Sequence, residues 1–294
     1  MRKIISIIIV TYNSEEHIFD CINSILQYND VGDALEIIIV DNCSKSVDAL
    51  EYKINELYGN NVRFIRNVKN GGYGQGNNVG IIASAAPYVM IMNPDVRMCS
   101  PIFSKMVREF ENNPSLAMAG MNQFVPYEGK GIPFYVSYRS PSWFFYIFPI
   151  FKLLNIYFKK YMCITGACLC LNKTLFKDIG LYDENIFMYS EEDDIHYRIL
   201  KSGFDIKYYR NMYYYHLHKM RSNFDMNLKF LKADYCSKKY LDRRDGFPEG
   251  YCKKYYKTLF KQQSIKNKLL SLMGKENHEY KEYLNMCKRF IGQL

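Results

Sequence analysis

The sequence predicts an α/β protein: a Rossmann-like, mostly parallel central sheet flanked by helices, followed by a basic helical C-terminal extension. Three observations carry this. Short unbroken β-branched runs, IISIIIV at 4–10 and EIIIV at 36–40, have the pattern of strands covered on both faces. Between them, within 15–29, Ile18, Cys21, Ile22, Ile25 and Leu26 recur at helical spacing. Each run ends in polar residues, TYNS and DNCS, and a parallel sheet binds its ligand outside the carboxyl ends of its strands.

The alternation continues along the chain. Residues 47–58 read as a helix, VRFIRN (62–67) as a third strand, NNVGIIASAA (77–86) as a third helix and YVMIMN (88–93) as a fourth strand. Strands alternating with helices give parallel neighbours joined by right-handed crossovers. The strand-end rule then selects Thr11, Tyr12 and Asn13, Asp41 and Asn42, Asn67, and Asn93-Pro94-Asp95. The second half is less regular. CITGACLCL (163–171) reads as a strand, 191–202 as a helix, and 205–217 as one or two aromatic strands. From 225 the pattern is helical and rich in Lys and Tyr, with breaks near Gly246-Phe247-Pro248 and at Gly274.

Charge is unevenly spread. Residues 225–294 hold sixteen Lys/Arg against eight Asp/Glu, whereas 1–224 hold twenty-three against twenty-two. The body is nearly neutral and the tail is basic, which suits a phosphate-bearing surface or plain solvation. The nine cysteines are scattered without CxxC or zinc spacing, as reduced thiols of a cytosolic protein would be. The N-terminal MRKIISIIIVTYN looks superficially like a signal peptide, but its apolar run stops at Thr11 without a cleavage site, so it reads as a buried strand. PSWFFYIFPIFKLLNIYF (141–158) is conspicuously apolar. A mid-run proline, a lysine and an asparagine argue against a spanning helix, leaving a core helix or a membrane-facing surface. The second suits the basic tail.

Several residues could carry chemistry. Asp41 at a strand end could meet a nucleotide base or ribose, or could close an Asx-turn or cap a helix. NGGYGQGNN (70–78) lacks the last glycine of GxGxxG, has no Gly-Lys-Ser/Thr, and follows the third strand rather than the first. It reads as a loop around Gly72 that shapes a pocket, with Asn77 or Asn78 capping the next helix. Asp95, after Asn93 and Pro94, could ligate a divalent cation or close a turn. His216 and His218 alternate on one strand and share a face. Glu191-Glu192-Asp193-Asp194 opens a helix, where acids suit the positive end. Ser190 could N-cap it with Asp193 as partner, and Asp194 could pair with Arg198 one turn on. At about 100° per residue, four consecutive acids cannot all face one pocket.

Taken in order, SIIIVTYNS, VDNCS, NGGYGQGNNVGI, YVMIMNPDV, ITGACLCLNKTLF, FMYSEEDDIHYRI and YYHLHKM resemble the family 2 glycosyltransferases, most of all the rhamnosyltransferase-like and galactofuranosyltransferase-like branch, over residues 4–222. The resemblance implies a GT-A fold, a divalent metal (Mn2+ or Mg2+), inversion at the anomeric carbon, and a nucleoside-diphosphate sugar donor such as dTDP-rhamnose or a UDP-hexose, UDP-galactofuranose included. It divides the chain into a glycosyltransferase domain at 1–224, with a nucleotide-sugar-binding half (1–96) and an acceptor half (97–224), and the extension 225–294. It implies donor-binding roles for Thr11, Tyr12, Asn13, Asp41, Asn42, Gly72, Asn77, Asn78 and Asn93. Asn93-Pro94-Asp95 falls on the family's metal-binding Asp-x-Asp, with Asn93 in place of the first acid, leaving Asp95 and His216 as metal ligands and His218 as a substitute. The acid run falls on the catalytic Glu-Asp-x-Asp segment, with Glu192 as base, Glu191 beside it and Asp194 in the fourth position. An inverting displacement needs one base for the acceptor hydroxyl and a Lewis acid for the leaving diphosphate, not two facing carboxylates.

The implied acceptor is a saccharide or lipid-linked glycan of surface polysaccharide synthesis (capsule, O-antigen). The implied location is cytoplasmic, peripheral at the inner face of the membrane through 141–158 and the tail. Oligomeric state is left open, a homodimer among the options. A nucleotidyltransferase would carry a basic glycine-rich loop near the first strand, and TYNSEEH has none. A nucleic-acid-binding module would need a Lys/Arg stripe that the near-neutral body lacks, so no nucleic-acid partner is expected.

Overall fold

The computed structural model describes residues 2–125, 129–217, 224–274 and 278–293. The chain begins β1 (Ile5–Thr11), α1 (Glu15–Gln27), β2 (Leu35–Asp41), α2 (Val47–Tyr58), β3 (Val62–Arg66), α3 (Tyr73–Ala83), β4 (Tyr88–Met92), β5 (Val96–Met98), α4 (Phe103–Glu111) and β6 (Leu116–Val125). It continues β7 (Gly129–Gly131), β8 (Phe134–Val136), α5 (Phe144–Leu154), β9 (Met162–Ile164), β10 (Cys168–Asn172), α6 (Lys173–Asp178), α7 (Glu191–Lys201) and β11 (Asp205–His216), and closes with α8 (Phe224–Arg244), α9 (Tyr251–Leu272) and α10 (His278–Gln293).

Two compact units result. The first holds Met1–Tyr135, Cys163–Phe187 and Glu191–His218; the second holds Val136–Met162, Met188–Ser190 and Lys219–Leu294. The boundary therefore does not follow an expected division at 224, because residues 136–162 group with the C-terminal helices. Likewise 1–96 and 97–224 do not separate: both contribute to one sheet.

That sheet has the order β3-β2-β1-β4-β10-β6-β11-β5, with β7 added on β6. β3, β2, β1 and β4 run parallel, with β1 and β2 matched from Ile5↔Leu35 to Thr11↔Asp41. β10 is antiparallel to both β4 and β6, while β6 and β11 are parallel. The chain moves outward from β1 to β3 and then returns across β1 to β4, so the order reverses there. A reversal of this kind opens a crevice at the carboxyl ends of the strands. Ile5, Ile7, Ile8 and Ile9 are fully buried, and α1 covers one face with Ile18, Cys21, Ile22 and Ile25. Each such side chain stabilises the fold by roughly 1.5–3 kcal/mol, and Ile8→Ala would leave a cavity costing roughly 2–5 kcal/mol.

Two details differ from expectation, and one open alternative is resolved. The stretch 163–171 is two strands, β9 and β10, separated by a turn at 165–167. The aromatic stretch after 205 is one strand, with a register shift between Tyr209 and Tyr213. The third helix begins at Tyr73 rather than 77, so most of the glycine-rich stretch is helix and not loop. Glycine disfavours a helix by about 1 kcal/mol against alanine, but here it permits close approach. A Cβ on Gly76 would lie 2.8 Å from the Asn42 amide and from Val10 Cγ1, and one on Gly80 would strike Ile8.

In the second unit α8, α9 and α10 share a core of Leu231, Tyr235, Tyr256, Phe260, Leu284 and Ile291. The helix breaks fall at 245–250 and after 272, as the sequence predicts. Lys238 is buried there, 2.6 Å from Asp234 Oδ1 and 2.9 Å from Ser190 Oγ. Tyr256 also donates to Asp234. Burial alone would raise the Asp234 carboxyl, but Lys238, Ser190 and Tyr256 outweigh it and hold it below the usual value. All nine cysteines are free thiols, and burial pushes Cys21 up to about 12. Among the described residues no helix is long and apolar enough to cross a membrane.

Candidate active site

The site residues gather in the first unit, along the carboxyl edge of the sheet. Asp41 ends β2 fully buried. Its carboxylate accepts from Thr11 Oγ1 (3.0 Å), Ser44 N (2.8 Å) and Ser44 Oγ (2.6 Å). Of the roles open to Asp41, this structure displays the turn. Asn42 donates to the Gly72 carbonyl (3.0 Å) and accepts from Asn67 Nδ2 (2.8 Å), which also reaches Gln75 Oε1 (2.5 Å). These buried amides tie the ends of β2 and β3 to the start of α3. Asn13 takes a left-handed φ of 50°, donating its N–H to Ser44 Oγ (2.8 Å) and accepting from Lys45 N (3.1 Å). Tyr12, Asn13, Cys43 and Lys45 are exposed at this edge; Thr11, Asp41 and Asn42, all buried, hold it in shape.

Asn77 and Asn78 lie within α3 rather than on a loop, and Gly72 is the residue just before the helix. Gly72 has φ 91°, and a Cβ there would collide with the Phe187 carbonyl, which accepts the Tyr73 N–H at 3.1 Å. The glycine is thus where the backbone of 187 packs. Neither asparagine caps the helix, because α3 starts before them. Asn77 bonds back to the Tyr73 carbonyl one turn earlier (3.0 Å). Asn78 pins a distant segment, donating to Tyr182 O (2.9 Å) and Glu184 Oε1 (3.0 Å) while accepting from Tyr182 N (3.0 Å).

Asn93-Pro94-Asp95 forms the turn between β4 and β5. Asn93 N–H donates to the Ala167 carbonyl (2.9 Å) and its own carbonyl accepts from Val96 N (3.1 Å). β5 pairs antiparallel with the end of β11, His216 opposite Val96, and Leu217 N donates to Asp95 O (3.0 Å). This pairing sets His216 Nε2 3.4 Å from Asp95 Oδ2. Two ligand atoms each about 2.1 Å from an octahedral ion are separated by about 3.0 Å, so the pair fits one edge of such a site. Among the described residues no group of three or more His, Cys, Asp or Glu could hold a metal. His218 lies outside the described residues.

The four acids of α7 part company. Glu191, Asp193 and Asp194 are buried, while Glu192 is half-exposed. Asp194 makes the expected pair with Arg198, in fork geometry with Nε donating to Oδ1 at 3.1 Å and Nη2 to Oδ2 at 2.6 Å. Arg198 also donates to the carbonyls of Ile179 (2.5 Å) and Leu181 (2.6 Å). Asp193 Oδ2 lies 3.4 Å from the Tyr135 hydroxyl. Ser190 does not supply the expected cap: it has φ 75° and its hydroxyl bonds Asp234 and Lys238.

Glu192 Oε1 accepts the Gly166 N–H at 2.7 Å. Sequence reasoning missed Gly166, whose only signal was a glycine inside an apolar run. A Cβ there would strike the Glu192 carboxylate. The Gly166 carbonyl in turn accepts from the Tyr73 hydroxyl at 2.8 Å. Burial, then the nearby Tyr182 and Glu192, keep that hydroxyl well above its ordinary pKa, so it stays a neutral donor. One turn, 165–167, thereby receives Asn93 through Ala167 and holds Glu192 through Gly166.

Comparison with known proteins agrees with this frame. The sequence pattern of Glycosyl transferase family 2 matches residues 6–180, ending before α7 and His216. The low-salt glycan biosynthesis hexosyltransferase Agl10 of Haloferax volcanii is 25% identical over 209 residues, covering 69% of this chain and 63% of that protein, so the chain spans less than two-thirds of this relative. The structure of S. aureus TarS 1-349 in complex with UDP superposes with a TM-score of 0.54 at 17% identity, over 79% of this chain and 64% of that one. The mannosyltransferase PcManGT from Pyrobaculum calidifontis, in complex with GDP-Man and Mn2+, gives 0.58 at 11% identity, over 99% of this chain and 70% of that one. They share the mostly parallel sheet flanked by helices that defines the GT-A fold. A match running from β1 through α6 on a sheet of this topology makes the chain a member of glycosyl transferase family 2.

Proposed function

We propose that the chain is an inverting glycosyltransferase that moves a sugar from a nucleoside-diphosphate donor to a saccharide or lipid-linked acceptor in the assembly of a surface polysaccharide. The observation that carries this reading is the Glu192 carboxylate, the one half-exposed acid of its run, fixed by Gly166 on the turn that also receives the Asn93-Pro94-Asp95 segment. In this reading Glu192 takes the proton of the acceptor hydroxyl as its oxygen attacks the anomeric carbon, and the bond to the diphosphate breaks on the opposite face. Glu191 and the Arg198-bound Asp194 hold the start of α7 in place.

Asp95 and His216 would hold a divalent cation, Mn2+ or Mg2+, whose chemistry is Lewis-acid stabilisation of the leaving diphosphate. The Mn2+ of the mannosyltransferase complex supports this choice. Tyr12 and Asn13 offer the exposed edge against which a nucleoside rests, with Thr11, Asp41, Asn42 and Asn93 shaping it. The UDP and GDP-Man of the solved relatives support a nucleotide-sugar donor, here dTDP-rhamnose or a UDP-hexose such as UDP-galactofuranose. Thermal shift tests the reading: UDP or dTDP with Mn2+ should raise the Tm, and duplex DNA should not. Stabilisation by DNA alone would overturn it.

A further inference from the structure

The second unit carries an apolar surface that its own fold leaves open. α5, FFYIFPIFKLL, is apolar on nearly every side. Phe144 and Phe145 are buried in the unit. Trp143, Tyr146, Ile150, Leu153 and Leu154 are 54%, 49%, 58%, 85% and 55% exposed. Their spacing is i, i+3, i+7, i+10 and i+11, which is a single helical face. Ile156 and Phe158 extend the exposed apolar surface beyond the helix end. Water-facing surfaces rarely keep apolar patches of this extent unless they meet a partner or a membrane.

Charge identifies the occupant. Lys152, Lys159 and Lys160 flank this face and are exposed, and 141–162 contains no Asp or Glu. Over the whole second unit 22 Lys/Arg stand against 8 Asp/Glu, a net +14. Pairing this face with a second copy of itself would set one net-positive unit against another. An anionic lipid surface matches both the apolar face and its cationic rim.

We propose that α5 is a monotopic docking element, lying in the headgroup–acyl boundary of an anionic bilayer with Trp143 and Tyr146 at the interface and Lys152, Lys159 and Lys160 against lipid phosphates. Eleven residues make a helix of roughly 16 Å, about half of a hydrocarbon core, so α5 lies on the membrane and does not cross it. α9 repeats the composition, with Ile265, Leu269 and Leu272 exposed at i, i+4 and i+7 near Lys261 and Lys268. The proposal stands independently of the assignment of Glu192.

Co-sedimentation of the full chain with vesicles tests it, using phosphatidylglycerol and phosphatidylcholine in equal parts against phosphatidylcholine alone. The wild type should sediment with the anionic vesicles and bind the neutral ones far more weakly. The double variant Ile150→Glu, Leu153→Glu should lose roughly tenfold or more in partitioning. Replacing Lys152, Lys159 and Lys160 by Gln should lose roughly a hundredfold, about fivefold per lysine. Unchanged circular dichroism would show that the variants fold. Absence of wild-type binding, or equal binding by the Glu variant, would overturn the proposal. So would a wild-type dimer in sedimentation analysis that the Glu variant converts to monomer.

Discussion

The two units bury and expose opposite things. The first hides its apolar residues inside a sheet covered on both faces and gathers polar groups at one edge. It carries 17 Lys/Arg against 22 Asp/Glu, a net −5. The second is helical, carries a net +14, and turns an apolar helix face outward while keeping an ion pair, Lys238 with Asp234, inside. A near-neutral body with a basic tail was the sequence-level view; the folded chain separates charge more sharply, because 136–162 adds four basic residues to the helical unit, and Lys219 and Arg221 add two more. The lesson is that a site for chemistry and a surface for docking place different demands on neighbouring stretches of one chain.

The contrast breaks most sharply at Asp95. Asp95→Ala should cost about a thousandfold in transfer rate and remove the Mn2+ dependence of UDP binding, with no change in vesicle binding. An unchanged calorimetric titration with Mn2+ would take Asp95 out of the site.

Asp234→Ala should act on the other unit. It leaves Lys238 buried without its carboxylate, costing about 3 kcal/mol in urea unfolding, while UDP affinity stays at the wild-type value. A loss of UDP affinity in the folded variant would show that the units are not functionally separable. Gly166→Ala brings a Cβ against the Glu192 carboxylate, so kcat should fall about a hundredfold with KM for the donor unchanged. A wild-type kcat would mean that the Gly166 bond does not position the base.

The smallest effect is a pH slope. The Asp234 carboxyl lies below its unfolded value, so its stabilisation is present above that value and is lost as pH falls through the lower folded one. Asp242, raised by burial, contributes with the opposite sign. Melting temperature measured from pH 7 downward should therefore fall less steeply below about pH 4 in Asp234→Asn than in the wild type. Parallel curves would assign the acid sensitivity elsewhere.

Much of the first unit was legible because its signals are local. EIIIV and the helix at 47–58 follow from periodicity alone, and Asp194 with Arg198 follows from helical spacing. The glycine-rich stretch was misread because local propensity argues for a loop, whereas the glycines serve the approach of α3 to Ile8, Val10 and Asn42, which no window of sequence contains. Gly166 was invisible for the same reason, since its partner Glu192 lies 26 residues away. The apolar run at 141–158 presented two readings; Ile150 and Leu153 are exposed while Phe144 and Phe145 are buried, so the run is not wholly core, and the vesicle test decides what meets its outer face.

The most direct test of the central claim is a panel of UDP-, dTDP- and GDP-sugars, assayed for hydrolysis and transfer with Mn2+ and with EDTA, on wild type and Glu192→Gln together. The account predicts that the wild type consumes at least one nucleotide sugar and does so only with the metal. It also predicts that Glu192→Gln binds the same nucleotide with wild-type affinity and does not turn it over. Turnover by Glu192→Gln at the wild-type rate would contradict it.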